Sequence, residues 1–182
     1  METNIIRFPV PQSGKISLVV SPRAVVPSLM TMLAALALRG RVIVVDGGNC
    51  FDGYALARAV RRQTHLVHEA LAQVLLSRAF TCYQMAAMLA ELPIDGTPVI
   101  VLDLLSTFLD ENVALSKRQR ILDNSLNLLR RISAGAPVAI WARSRTTPTG
   151  EDQQLLTPVL EAAHDIWELE TPVIPDHQLP LF

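Results

Sequence analysis

Three short runs set the terms for this chain: Val42-Ile43-Val44-Val45, Val99-Ile100-Val101-Leu102 and Val138-Ala139-Ile140-Trp141. Each is wholly apolar and rich in β-branched residues. A strand with one wet face alternates apolar and polar side chains, so an unbroken apolar strand has to be covered on both faces. The segments between these runs carry apolar residues at helical spacing. Leu29, Leu33, Leu36 and Leu38 follow Pro27-Ser28 and stop at Gly40; Leu56, Ala59 and Val60 fall within 53–63. Met85, Met88, Leu89 and Leu92 lie within 82–92, and Leu122, Leu126 and Leu129 lie within about 115–133. Ile16 to Val20 adds a first strand before Ser21-Pro22, and a helix around 153–163 with a strand around 165–169 closes the series. Strand–helix alternation of this kind predicts an α/β domain on a mainly parallel central sheet. Residues 67–76 are ambiguous. The spacing of Val67, Leu71, Val74 and Leu75 favours a helix, while the end of the stretch can serve as the strand before Ser77-Arg78-Ala79-Phe80.

Length and composition bound the function. At 182 residues, half of them hydrophobic and 18% charged, the chain has enough apolar material for one folded domain. The expected division is an arm over 1–12, a domain over 13–170, and a proline-spaced tail over 171–182. A formal net charge of −1 argues against a general nucleic-acid coat. Cys50 and Cys82 lack metal-ligand spacing and suit buried apolar positions in a reducing cytosol. His65, His68 and Glu69 form a helical cluster without a third ligand signal, so they read as surface chemistry rather than a metal site. The greasiest stretch, Leu29 to Leu38, is far too short for a membrane span and ends at Arg39, and the start has no apolar signal region. The expectation is a soluble, cytoplasmic protein with no membrane partner. Trp141 and Trp167 are expected in the core.

The order and wording of several segments resemble the RecA/RadA recombinase core over roughly residues 13–170. Ser13-Gly14-Lys15-Ile16-Ser17-Leu18-Val19-Val20 is similar to that family's strand leading into the phosphate loop. Ser77-Arg78-Ala79-Phe80-Thr81-Cys82-Tyr83-Gln84-Met85 resembles the Ala-Arg-Ala-Phe-Asn-Thr-Asp-His-Gln stretch of the RadA-like branch. Val99 to Asp103 occupies the Walker B place, and Leu115-Ser116-Lys117-Arg118-Gln119 resembles the Leu-Ser-x-Arg-Gln that follows it. The resemblance implies a RecA-like, P-loop-NTPase-type three-layer sandwich.

The catalytic places of that family are filled differently here. A phosphate loop needs glycines so that successive N–H groups can curl round phosphates, and a lysine to meet their charge. In Ser21-Pro22-Arg23-Ala24-Val25-Val26-Pro27-Ser28 the glycine places hold Ser21 and Val26. The lysine place holds Pro27, and Ser28 alone fits. The family's water-activating glutamate corresponds to Gly48, while Asp103 keeps the Walker B carboxylate. Lys15 lies before the strand instead of after it, and Asp52 as a stand-in base would have no phosphate loop to serve. The resemblance therefore implies a pseudo-ATPase: no enzyme, no ATP and no metal. Lys117, Arg118 and Arg120 fall where recombinases carry a first DNA-contacting loop, and Arg143 and Arg145 where the second begins. Both loops are much shorter than in recombinases, so phosphate contacts and ordinary solvated turns stay open as readings, with weak or no direct DNA binding expected.

The sequence finishes on Gln178-Leu179-Pro180-Leu181-Phe182, behind Thr171-Pro172-Val173-Ile174-Pro175-Asp176-His177. The pentapeptide resembles the Gln-Leu-x-Leu-Phe peptide with which bacterial polymerases and repair proteins bind the DNA sliding clamp. The resemblance implies that Gln178 enters a small polar pocket of the clamp and that Leu179, Leu181 and Phe182 fill its apolar cleft. The expectation is an adaptor in DNA repair, recombination, the SOS response or translesion synthesis, beside a translesion polymerase or a recombinase. The alternatives are a RecA-like module that binds a recombinase, polymerase or cell-division partner without the clamp, and a divergent NTPase. Phe8 lies where recombinases carry the phenylalanine through which they polymerise.

Overall fold

The computed structural model describes residue 8, residues 10–145 and residues 148–169, so Gln178–Phe182 lies outside the described residues. Six strands form one sheet: β1 (Ile16–Ser21), β2 (Val42–Asp46), β3 (Val74–Arg78), β4 (Val99–Leu102), β5 (Val138–Arg143) and β6 (Asp165–Glu168). Their order is β3-β2-β4-β5-β1-β6, and every pairing is parallel. The four inner strands are buried along their length, except for Arg143 at the end of β5. That is the cover on both faces that unbroken apolar runs demand.

Six helices supply the cover. α1 (Val26–Ala37), α2 (Gly53–Arg61) and α3 (Val67–Leu71) pack on one face, where Leu29, Leu33 and Leu56 meet Val42, Val44, Ile100 and Trp141. α4 (Cys82–Ala90), α5 (Leu115–Ser133) and α6 (Gly150–Ala162) cover the other, together with a 3-10 segment at Leu104–Phe108. There Met85, Leu122, Leu126 and Leu155 meet Ile16, Val45, Val101 and Ile140. Each fully buried aliphatic side chain contributes roughly 1.5–3 kcal/mol of transfer free energy, so two such layers carry the fold. Asp52, Thr81 and Thr149 cap α2, α4 and α6 through side-chain oxygens. Gly40, at φ 146°, turns the chain from α1 into β2.

The ambiguous stretch divides. Val67 and Leu71 keep their helical spacing in the short α3, and the chain then extends so that Val74–Arg78 pairs with Val42–Asp46. α6 begins three residues before the expected 153, because Thr149 and Asp152 make a reciprocal capping box that starts the helix at Gly150. Trp141 is buried as expected, but Trp167 is 44% exposed. β6 is an edge strand, so Trp167 has no neighbouring strand on one side. Both cysteines are buried. Phe8 packs against the layer that contains α1.

Candidate functional site

Ligands of open α/β sheets bind beyond the carboxyl ends of the strands, where adjacent connections leave to opposite faces. Here β1 and β2 lead to the α1 face, and β4 and β5 to the α5 face. The ends of these four strands bring together Ser21, Asp46, Asp103 and Arg143.

The connection from β1 is compact. A 3-10 turn at Arg23–Val25 runs straight into α1, Val25 and Val26 are buried, and Pro27 sits in the first helical turn with Ser28 buried behind it. Positive φ among the described residues occurs at Gly14, Gly40, Asn49, Gly96 and Asp103, and at none of residues 21–28. A phosphate cradle is built by turning successive N–H groups toward one point, which requires left-handed residues. This segment instead sends two valines into the core. Ser21 is tied inward: its hydroxyl accepts from Trp141 Nε1 at 2.7 Å, and its carbonyl accepts from the Ser144 N–H at 2.9 Å.

At the end of β2, Asp46 is wholly buried and folds the turn that follows it. Its carboxylate accepts from the N–H of Cys50 at 3.1 Å and of Phe51 at 3.0 Å, and from the Cys50 thiol at 3.3 Å. The half-exposed Arg78 lies 3.4 Å away and supplies the countercharge. Burial, and then the nearby Asp46 charge, push the Cys50 thiol far up, so it stays protonated.

Gly47 and Gly48 lie under this turn with no room for side chains. A Cβ on Gly47 would come 2.8 Å from Met85 Cε and 2.9 Å from the Asp103 carbonyl. On Gly48 it would fall on the Asp103 carboxylate, 2.7 Å from Cγ and closer still to Oδ2. The space that a side chain at Gly48 would need is therefore occupied by Asp103.

Asp103 itself sits at φ 50°, an uncommon conformation for a non-glycine residue. Its carboxylate accepts from Arg143 Nη2 at 2.5 Å and from the Arg143 N–H at 3.4 Å. Burial raises its affinity for a proton, and the Arg143 guanidinium pulls the other way without cancelling the effect. Arg143 Nε is buried and has no hydrogen-bond partner among the described residues.

A cavity of about 190 Å³ opens beside this pair, toward α6. Val20, Leu105, Leu109, Leu155 and Leu156 give it an apolar floor, and Arg143, Arg145 and Asp152 line its rim. Arg145 meets Asp152 at 3.2 Å. Burial works against the Asp152 charge, but hydrogen bonds from Thr149 at 2.7 and 2.9 Å, with Arg145 beside them, hold its carboxyl below the usual range.

The five basic candidates have different fates. Arg118 is inside the protein: Nε donates to the Val113 carbonyl at 2.8 Å, Nη1 to the Phe108 carbonyl at 3.0 Å, and Nη2 to Glu151 at 2.7 Å. It fastens the 3-10 segment to the starts of α5 and α6, so its guanidinium is not on the surface. Arg143 and Arg145 are committed to Asp103 and Asp152. Lys117 and Arg120 are exposed on α5, with Lys117 standing 5.1 Å over the Tyr83 ring. Asp52 caps α2 through the Ala55 N–H at 2.9 Å, and Lys15 pairs with Asp165 at the opposite end of the sheet.

Of the six positions that the resemblance assigns to a degenerate nucleotide site, the fold gathers Ser21, Gly48 and Asp103 and places Val26, Pro27 and Ser28 in α1. Sequence reasoning missed Asp46 as the organiser of the turn, although an aspartate closing an apolar strand before Gly-Gly was a usable signal. It also missed the cavity, whose walls come from three separated segments. No group of histidine, cysteine and acidic residues suited to a metal ion occurs among the described residues, and no described helix is long and apolar enough to cross a membrane. Compared with known proteins, the chain matches no family model, and no curated protein is significantly similar to it.

Proposed function

We propose that this chain is a non-catalytic RecA-like adaptor that binds the bacterial DNA sliding clamp through Gln178, Leu179, Leu181 and Phe182. Its setting is DNA repair, recombination or translesion synthesis. The observation that carries the non-catalytic half is the seat of Gly48: the carboxylate that would activate water has no space, because Asp103 lies against the glycine. The turn from β1 into α1 supports the same reading, with buried valines in place of a cradle. The parallel sheet with helices on both faces is compatible with the RecA-like core. The tail supplies the binding half, since two leucines and a phenylalanine behind a polar, proline-spaced stretch call for a partner.

A five-residue anchor gives roughly micromolar affinity, and a ring with several clefts strengthens it by avidity. Titration of the clamp with the full chain tests this directly. Leu181→Ala with Phe182→Ala is expected to weaken binding at least about tenfold, or about 1.4 kcal/mol; unchanged binding would refute the tail's role. Tight ATP binding, or hydrolysis abolished by Asp103→Asn, would refute the non-catalytic reading.

The second reading, a module that holds a polymerase, recombinase or other protein partner through the domain, is favoured by one surface. β3 is an edge strand with Leu75 and Leu76 both exposed, and Phe80 and Tyr83 follow it, Phe80 being 70% exposed. Unpaired strand edges bearing large apolar side chains are sites of protein association.

A further inference from the structure

The cavity between the 3-10 segment Leu104–Phe108 and α6 has no occupant from the described residues, and its composition is unusual for an idle surface. Its floor is made of leucines and a valine, and its rim carries Arg143 and Arg145, each paired with an aspartate, Asp103 or Asp152, that also lines the cavity. A site of this kind takes apolar side chains, with the few polar groups at its mouth fixing their orientation.

The chain provides such a segment nearby. β6 runs parallel to β1 with Glu168 opposite Val20, and the Leu169 N–H donates to the Val20 carbonyl at 2.9 Å. Val20 is itself a wall of the cavity. Residues 170–182 therefore start one strand away from it. The eight residues 170–177 span up to roughly 26–29 Å when extended, ample to bring Leu179, Leu181 and Phe182 to the opening. Residues 170–182 end in Leu179, Leu181 and Phe182, three apolar side chains of the kind that the leucine and valine floor would take.

We propose that the apolar anchors of Gln178–Phe182 dock into this cavity of their own chain, so that the clamp-binding peptide is masked until it is displaced. Docking rests on the cavity and the tether; masking rests on the clamp-binding reading above. A tether this short gives an effective concentration on the order of millimolar, so intrinsically weak docking suffices. An intramolecular equilibrium of about ten to one in favour of the docked form lowers apparent clamp affinity about tenfold.

The full chain offers a clean probe, because Cys50 and Cys82 are both buried and Gln153 is exposed at the rim. A nitroxide on Gln153→Cys is expected to broaden the NMR signals of the Leu181 methyls and the Phe182 ring. Reducing the nitroxide should restore them, and so should Leu156→Arg, which places a charge in the floor. Thermal melting checks the fold of that variant. Leu181→Ala with Phe182→Ala, which leaves the described fold unaltered in sequence, should abolish broadening across the remaining tail. Absence of broadening in the full chain overturns docking. Broadening that arises between labelled and unlabelled molecules in a mixed sample overturns it in favour of a second copy. Clamp affinity should rise about tenfold in Leu156→Arg, and an unchanged affinity overturns masking. If the clamp does not bind in any variant, the broadening decides docking alone, and the clamp reading fails separately.

Discussion

Two connections leave the same end of the sheet and are built in opposite ways. Between β1 and α1 the chain makes a single 3-10 turn, puts Val25 and Val26 into the core and leaves no concavity of its own. Between β5 and α6 it makes a longer excursion, in which the Thr149–Asp152 capping box and the Arg118–Glu151 pair fix where α6 begins. That start leaves a cavity of about 190 Å³ against the 3-10 segment after β4. The difference shows what decides whether a strand-to-helix connection is open or closed. Val25 and Val26 close the β1–α1 turn by burying their side chains, a gain that glycines in their place would not supply. Where charged and capping side chains hold two elements apart, the space stays open. The β1–α1 turn is filled by its own side chains, and the cavity lies on the other face of the sheet.

Five substitutions break or sharpen this contrast. Gly48→Glu, which introduces the residue type of the resembled RadA-like pattern, has the largest expected effect. The new side chain must displace Asp103, so the domain should lose about 4 kcal/mol in urea unfolding and gain no ATPase activity. Retained stability with ATP turnover would show that the site is merely unfilled. Arg118→Met comes next. It leaves the Val113 and Phe108 carbonyls and Glu151 without their donor, at about 3 kcal/mol, and should open the cavity by loosening α6. Hydrogen exchange at the start of α6 would report that loosening.

Ser21→Ala strands the buried Trp141 Nε1 and is expected to cost about 1.5 kcal/mol, with a change in tryptophan fluorescence. Thr149→Ala removes the cap of α6 at about 1 kcal/mol. The partner in that cap also has a pH signature. Because the folded protein holds the Asp152 carboxyl below its ordinary value, its contribution is complete above about pH 4 and is lost as pH falls through the depressed folded value. Denaturation of the wild type and Asp152→Asn should therefore differ at pH 7 and converge in acid. Asp103 has the opposite sign: its raised affinity for a proton contributes stability at low pH that is lost as pH rises through its folded value.

Much of the fold was legible because burial on two faces leaves a plain mark. Val42–Val45, Val99–Leu102 and Val138–Trp141 have hardly any polar residues, and all three are inner strands. The leucine spacing of 115–133 gave a helix with the same bounds. Trp167 was misplaced because an aromatic residue beside a strand looks the same whether or not another strand follows. Arg118 was misplaced because a basic residue at a helix start carries no sign of the carbonyls waiting behind it. At the site, the departures of Ser21, Val26, Pro27 and Gly48 from the RecA/RadA pattern could be read directly, since they are differences of residue type.

By itself, the sequence determined the layered α/β domain, which follows from local composition and spacing; a degenerate phosphate loop and a clamp-binding tail are what its resemblances imply. Tertiary structure alone decided that Asp103 lies on Gly48, that Asp46 rather than Asp103 folds the turn after β2, and that a cavity opens against β1, the strand beside β6. The first and the last join residues tens of positions apart, which only the packing of the sheet and its helices brings together. The second depends on which of two buried carboxylates the fold turns toward the Cys50 and Phe51 amides.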